Sequence, residues 1–234
     1  MNIKINKAQH LELCKLNYQE FLFGSRLHET NNEKSDYDYV RLIDDDFYNG
    51  FDTIALFLPN IHNFQYDDVE NNTQYIWMTI QQFYSNLFSG DGHVASDIIL
   101  FNKKFSDNYL IEDTLFLTRT YKNIKGYLGL AKRDMKFFNK SDKKKFHTLR
   151  GLYIADSLIN NNLPDINYIK ELKKHLDYEH LTLSAVQMKL DELRKLSNSL
   201  YESNDLTLYP VFKERNSLIQ LLTNANNIKE FKYD

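Results

Sequence analysis

Residues Phe21 to Ile43, FLFGSRLHETNNEKSDYDYVRLI, decide how the rest of the chain is read. Glu20 to Phe23 (Glu-Phe-Leu-Phe) reads as a short buried strand that runs straight into Gly24 and Ser25. There, backbone N–H groups and a hydroxyl open a helical turn, a natural cradle for a phosphate. After the polar stretch Thr30 to Ser35, the run Asp36 to Ile43 alternates: Tyr37, Tyr39 and Arg41 fall on one face and Asp36, Asp38, Val40 and Leu42 on the other. The strand period of two therefore puts two carboxylates on one face, the first of them eleven residues after Ser25. Paired carboxylates beside a phosphate cradle can hold Mg²⁺, which orients a triphosphate and neutralises charge as an oxygen attacks phosphorus. Arg26 is placed either to reach phosphate oxygens or to make a surface ion pair.

Outward from this stretch, residues 7 to 18 read as an amphipathic helix. Phe51 to Leu58 and Gln74 to Thr79 are strand candidates separated by a polar loop with Asp67, Asp68 and Glu70, and Ile80 to Phe88 returns to a helical period. From about residue 109 the pattern is helical throughout. Ile124, Leu128, Ala131, Met135 and Phe138 make one apolar stripe, with Lys122, Lys125, Lys132 and Lys136 away from it. Ser141 is an N-cap for a helix over about 142–160, and Pro164 opens one over about 164–177, with Ile166, Ile169, Leu172 and Leu176 inward. A longer helix follows over about 182–203, and Pro210 opens a last one. The expected class is α+β: a sheet-bearing unit over 1–108, then a helical unit over 109–234.

The chain has 234 residues, 42% of them apolar, with only 7 Gly and 3 Pro, which excludes collagen-like and low-complexity classes. No apolar run approaches the length of a spanning helix, so no membrane partner is expected. A single cysteine, Cys14, excludes an internal disulfide and reads as a small buried apolar residue; with no secretory signal, a cytoplasmic location is expected. The net charge of −3 conceals an asymmetry, because Lys122 to Arg150 holds ten Lys and Arg against Asp134 and Asp142, a local +8. Such a block is a phosphate or RNA site or a solvated face. The 16 Tyr and 16 Phe are read mainly as core. The seven His show no ligand spacing, so no zinc is expected; His28 is read as a surface loop histidine or a substrate contact, and Asp44 to Asp46 as a solvated turn.

The string GSRLHET…SDYD, in the form G-S-R-x3-T-x4-S-D-Y-D, resembles the signature of the DNA polymerase beta-like nucleotidyltransferases. Phe83 to Leu100 (FYSNLFSGDGHVASDIIL), KKKFHTLRGLYIAD at 143–156 and Asn-Leu-Pro at 162–164 are similar to the family called RNA repair pathway DNA polymerase beta, found in bacteria and many phages. The resemblance covers about residues 18–170. It implies a small mixed sheet with flanking helices, then a helical region closing over a nucleotide. By position, Asp36 and Asp38 would be catalytic metal ligands for Mg²⁺ or Mn²⁺. Gly24, Ser25, Arg26, Lys144, Lys145 and Arg150 would bind the NTP, with His147 in the same basic cluster.

One departure matters. Such enzymes place a third carboxylate on a neighbouring strand, as metal ligand and base for the attacking hydroxyl. The best register puts Thr73 or Gln74 there, with Asp67, Asp68 and Glu70 a few residues upstream. The implied activity is transfer of NMP from an NTP to a hydroxyl, first of all on RNA or tRNA held by the 122–150 segment. The alternatives are an AMPylation-like transfer to protein, and a catalytically impaired nucleotide- or RNA-binding module, phage-encoded and acting on a host system.

Overall fold

The computed structural model describes residues 2–43, 63–79, 82–83, 86–87, 93–102, 111–175 and 181–208. Strand β1 (Asn2–Lys4) leads to helix α1 (Lys7–Leu13), strand β2 (Tyr18–Phe23), the single turn α2 (Gly24–Leu27), and strands β3 (Tyr37–Ile43), β4 (Asn63–Asp68) and β5 (Thr73–Thr79). They form one five-stranded sheet in the order β1-β4-β5-β3-β2, with β3 parallel to β5, β1 parallel to β4 and the other pairs antiparallel. Six helices follow: α3 (His93–Phe101), α4 (Ile111–Thr118), α5 (Tyr121–Met135), α6 (Asp142–Ile159), α7 (Ile166–Lys174) and α8 (Leu183–Glu202). The protein is therefore α+β, a mixed sheet with flanking helices and a helical region.

The alternation read in β3 holds and sorts the sheet into two faces. Val40 and Leu42, with Phe21, Ile76 and Met78, pack into the helices in a core that continues without a break to Leu158 and Leu190. On the opposite face Ile43, Phe64 and Trp77 pack against Leu13 of α1. Helix α1 stops at Leu13, short of the expected residue 18, and Tyr18 already belongs to β2. Cys14 does not pack as a plain apolar residue, since its sulfur accepts a hydrogen bond from Arg41 Nη1 at 3.2 Å. After the sheet, residues 82–83 and 86–87 are already helical, within the stretch Ile80 to Phe88 read as helical, and a full helix starts at His93, before residue 109.

The helix starts follow capping chemistry, with Thr120, Ser141, Asp165 and Thr182 accepting backbone N–H groups of the first turns of α5, α6, α7 and α8. Ile124, Leu128, Ala131 and Phe138 are buried as the stripe predicts, and so are Val186, Leu190 and Leu193 of α8, whereas Leu196 is 38% exposed. Helices α5 and α6 approach closely at Gly151, where a Cβ would come 3.1 Å from the Tyr127 carbonyl oxygen. The expected strand over 51–58, the acidic run 44–46 and the helix opened by Pro210 lie outside the described residues. Among the described residues, no helix is long and apolar enough to cross a membrane.

Candidate functional site

The site forms at the edge of the sheet where β2 turns into α2. Phe23 is the extended residue before the turn, and Gly24 follows with φ +69, a conformation that only glycine adopts without strain. Phe23 pairs directly with Asp38 on β3, so the turn lies over that carboxylate. The approach is so close that a Cβ on Gly24 would sit 2.1 Å from Asp38 Oδ2. Gly24 is thus required twice, by its backbone angle and by the space that Asp38 fills.

Asp38 is half-buried, and its carboxyl is pushed up to about 6 by burial first and then by the neighbouring Asp36, with Lys143 of α6 pulling the other way. Asp36 is exposed, just before β3. Arg26 makes no ion pair among the described residues: it donates to the carbonyl oxygens of Ser35 at 2.8 Å and Asp36 at 3.1 Å and stacks 3.5 Å over the Tyr37 ring, with further donors of its fork unused by these bonds. Its role is to clamp the approach to β3 and so place Asp36. Ser25 directs its carbonyl to Thr30, whose backbone N–H donates to it at 2.9 Å and whose hydroxyl donates at 3.2 Å, closing the loop after α2.

The register answers the question of the third carboxylate. Directly opposed residues share a face, and the row across the sheet is Phe23, Asp38, Gln74, Asp67. Gln74 occupies the place beside Asp38. Asp67 is two strand spacings away, roughly 10 Å. Its Oδ1 accepts from Gln65 at 2.8 Å and Gln74 at 2.9 Å, and its Oδ2 from Lys4 at 2.9 Å. The Gln65 and Lys4 donors hold its carboxyl below the usual range. Asp68 is engaged with Asn71, and Glu70 faces Lys7 at the surface. Among the described residues, no set of three or more His, Cys, Asp or Glu side chains forms a metal-ligand group.

Helix α6 brings the basic segment to this edge. Lys143, His147 and Arg150 are spaced i, i+4, i+7 and share one face. Lys144 points elsewhere, 3.0 Å from the buried Asp134, which also pairs with Arg133 at 2.9 Å and faces His147 at 3.4 Å. Lys145 lies over the Phe138 ring. Of the three predicted basic residues, Arg150 therefore reaches the turn while Lys144 and Lys145 do not; Lys143 is the lysine whose charge is felt at Asp38. Burial and Arg150 lower the His147 imidazole to about 4, so it is neutral at neutral pH.

The sequence reading missed what lies beneath the turn. His28 is not a surface histidine: it is fully buried, with Nδ1 2.8 Å from the Gly24 carbonyl oxygen and 3.1 Å from Arg150 Nη1. Its Nε2 faces Asp97 Oδ2 of α3 at 3.3 Å, and Asp97 Oδ1 accepts from the Tyr127 hydroxyl at 2.6 Å. Burial and Arg150 lower the His28 pKa. Burial opposes ionisation of Asp97, but His28, His93 and Arg150 around it outweigh that and hold its carboxyl below the usual range. A period-based reading assigns Asp97 to a mostly apolar helix, and only the burial of an acid in HVASDIIL could have signalled it.

The donor set suits a hard cation in part. Two neighbouring carboxylates, one of them short of compensating charge, match the usual Mg²⁺ arrangement, in which one or two carboxylates hold an ion whose other ligands are phosphate oxygens and water. No family model matches the chain, and no curated protein or solved structure is significantly similar to it.

Proposed function

We propose that this chain binds a nucleoside triphosphate with Mg²⁺ at the Gly24–Asp36–Asp38 edge and transfers its NMP to a hydroxyl group, first of all on RNA. The observation that carries the reading is the seating of the Asp38 carboxylate against Gly24 with Asp36 beside it, since two neighbouring carboxylates, one of them raised by burial and by the other's charge, are what a divalent cation would compensate. The acceptor oxygen attacks the α-phosphorus, the bond from that phosphorus to the bridging oxygen breaks, pyrophosphate leaves, and the hydroxyl proton passes to solvent. The bound cation would neutralise charge on the phosphoryl oxygens. Asp36 and Asp38 would hold it, and Lys143 and Arg150 would orient the phosphates. A reducing cytoplasmic setting suits the free Cys14.

A second reading has its own support: Gln74 beside Asp38 cannot accept the acceptor's proton, which favours a nucleotide-binding module with little turnover. The test is incubation with each α-labelled NTP, Mg²⁺ or Mn²⁺, total RNA and cell lysate, resolving RNA from protein on one gel. Label in RNA, lost in the folded Asp36→Asn/Asp38→Asn variant, supports the transferase. Label in protein moves the acceptor to a protein hydroxyl. Binding of NTP without label supports the module, and undiminished transfer by the double variant sinks the site.

A further inference from the structure

Four elements converge on His28, and together they do more than fill the core. The α2 turn supplies the Gly24 carbonyl oxygen, α3 supplies Asp97, α5 supplies Tyr127 and α6 supplies Arg150. His28 and Asp97 are both 0% exposed. A buried carboxylate and imidazole are a poor way to gain stability, because apolar groups of similar volume would serve as well or better. Their retention beneath the turn calls for a role in arranging what lies above it.

Proton placement gives that role a direction. As a neutral ring, His28 carries one proton. On Nε2 it faces Asp97 Oδ2 at 3.3 Å, a charge contact in which neither atom has a hydrogen-bond partner among the described residues, and the Nδ1 lone pair is left to accept from Arg150 Nη1 while it meets the Gly24 carbonyl oxygen at 2.8 Å. On Nδ1 it would satisfy the Gly24 carbonyl oxygen but set a lone pair against the carboxylate and an N–H against the guanidinium. Two of the three contacts, those with the charged Asp97 and Arg150, favour the proton on Nε2 over the one with the neutral Gly24 carbonyl. Asp97 fixes the tautomer, and the tautomer makes the ring an acceptor for Arg150. Arg150 has five N–H donors in a rigid fork, and this contact uses one of them. The side chain is half-buried on the α6 face that also carries Lys143, the lysine whose charge acts on Asp38.

We propose that His28 is a positioning residue: held by Asp97 and Tyr127, its ring sets the Arg150 guanidinium beside the Gly24 turn, where Arg150 binds the phosphate chain of the nucleotide. This rests on the nucleotide-binding reading of the Asp36/Asp38 edge. The test is calorimetric titration of the protein, His28→Gln, Arg150→Gln and the double variant with Mg²⁺ plus each NTP, and with Mg²⁺ plus inorganic tripolyphosphate. Glutamine at position 28 can place an amide N–H where Nε2 faces Asp97, but its acceptor oxygen lies one atom further out than the Nδ1 that meets Arg150. Each single variant should bind tripolyphosphate about tenfold more weakly, as expected for loss of a hydrogen bond to a charged group. The double variant should be no more than about threefold weaker than the weaker single one, because both remove the same interaction.

Independent losses that multiply to about a hundredfold, or His28→Gln binding like the unmodified protein, would overturn the assignment while leaving the nucleotide site standing. No binding of any NTP or of tripolyphosphate by the unmodified protein would overturn both. If His28→Gln does not fold, the half-exposed Arg150→Gln decides alone, and unchanged tripolyphosphate affinity sinks the proposal.

Discussion

A single missing side chain shapes the candidate site, since the space beside Gly24 is where the Asp38 carboxylate lies. Gly24→Ala would have to hold φ at +69 and move Asp38 at once. We expect a cost of about 1–3 kcal/mol, measured by denaturant unfolding, together with loss of NTP binding by calorimetry; a variant that keeps both would show that Asp38 is not held by the turn. Asp38 also predicts a pH dependence. Its carboxyl is pushed up to about 6 in the folded chain from the ordinary 3.8 of an aspartate, so between these values the folded state binds a proton that the unfolded chain has released. Its contribution to stability is therefore fully present below about pH 4 and is lost as pH rises through about 6. Asp38→Asn removes this term, so the Tm of the variant relative to the unmodified protein should rise across that window and level off above it. Added Mg²⁺ should raise the Tm of the unmodified protein above pH 6 and not that of the variant.

At the scale of the element, α6 is the part that turns a basic composition into a directed one. Its helical period gives Lys143 and Arg150 to the site, Lys144 and His147 to Asp134 and Lys145 to Phe138. Lys143→Glu should weaken NTP binding by about tenfold or more while Lys145→Glu leaves it within about twofold, on the order of the 1–2 kcal/mol that separates a charge facing phosphates from one on a solvated face. Equal effects in calorimetry would mean that the block acts only as diffuse charge. The same helix starts at Ser141, whose side chain accepts from Lys144 N. Ser141→Ala should cost about 1 kcal/mol of stability, seen in denaturant melts. The tyrosine ladder on the other face of the sheet has a different fate. Tyr37, Tyr39, Tyr75 and Tyr66 stack in near-parallel sequence, and Arg26 and His10 cover its two ends. The ring faces are spent on one another, so the high tyrosine content is structural here.

In the whole molecule, the helical region grips the loop that leaves the candidate site. Lys170 of α7 pairs with Glu29, Lys173 donates to the Thr30 carbonyl oxygen, and Arg150 reaches His28. With one apolar core running from the sheet into these helices, turn and helical region form a single packed body. Charge is distributed at the same scale: Lys125, Lys132, Lys136, Lys140 and Lys143 are exposed, whereas Lys144 is drawn to Asp134. If RNA is the acceptor, its binding should weaken steeply with salt, and changing Lys132, Lys136 and Lys140 together to Glu should flatten the dependence of log K on log salt by about two to three units. An unchanged slope in a filter-binding series would return this face to solvent.

Much of this was legible along the chain. The period of two in Asp36 to Ile43 determined which face carries the carboxylates, and the period of 3.6 determined α5 and α8, because each of those helices buries one stripe. The cap at Ser141 was set by local hydrogen bonding, which needs only neighbours in sequence. Counting residues on two strands put Thr73 or Gln74 beside Asp38, and the strand pairing decided for Gln74. The burial of His28 was not legible, since a histidine after a polar-looking turn reads as exposed until three helices far along the chain close over it. Nor was the division of labour among Lys143, Lys144 and Lys145, because composition counts their charges equally while only packing decides which partner each one meets. Local periodicity determined the elements and their faces; long-range packing alone decided that Arg150 would meet His28 beneath the Gly24 turn, 122 residues away in sequence.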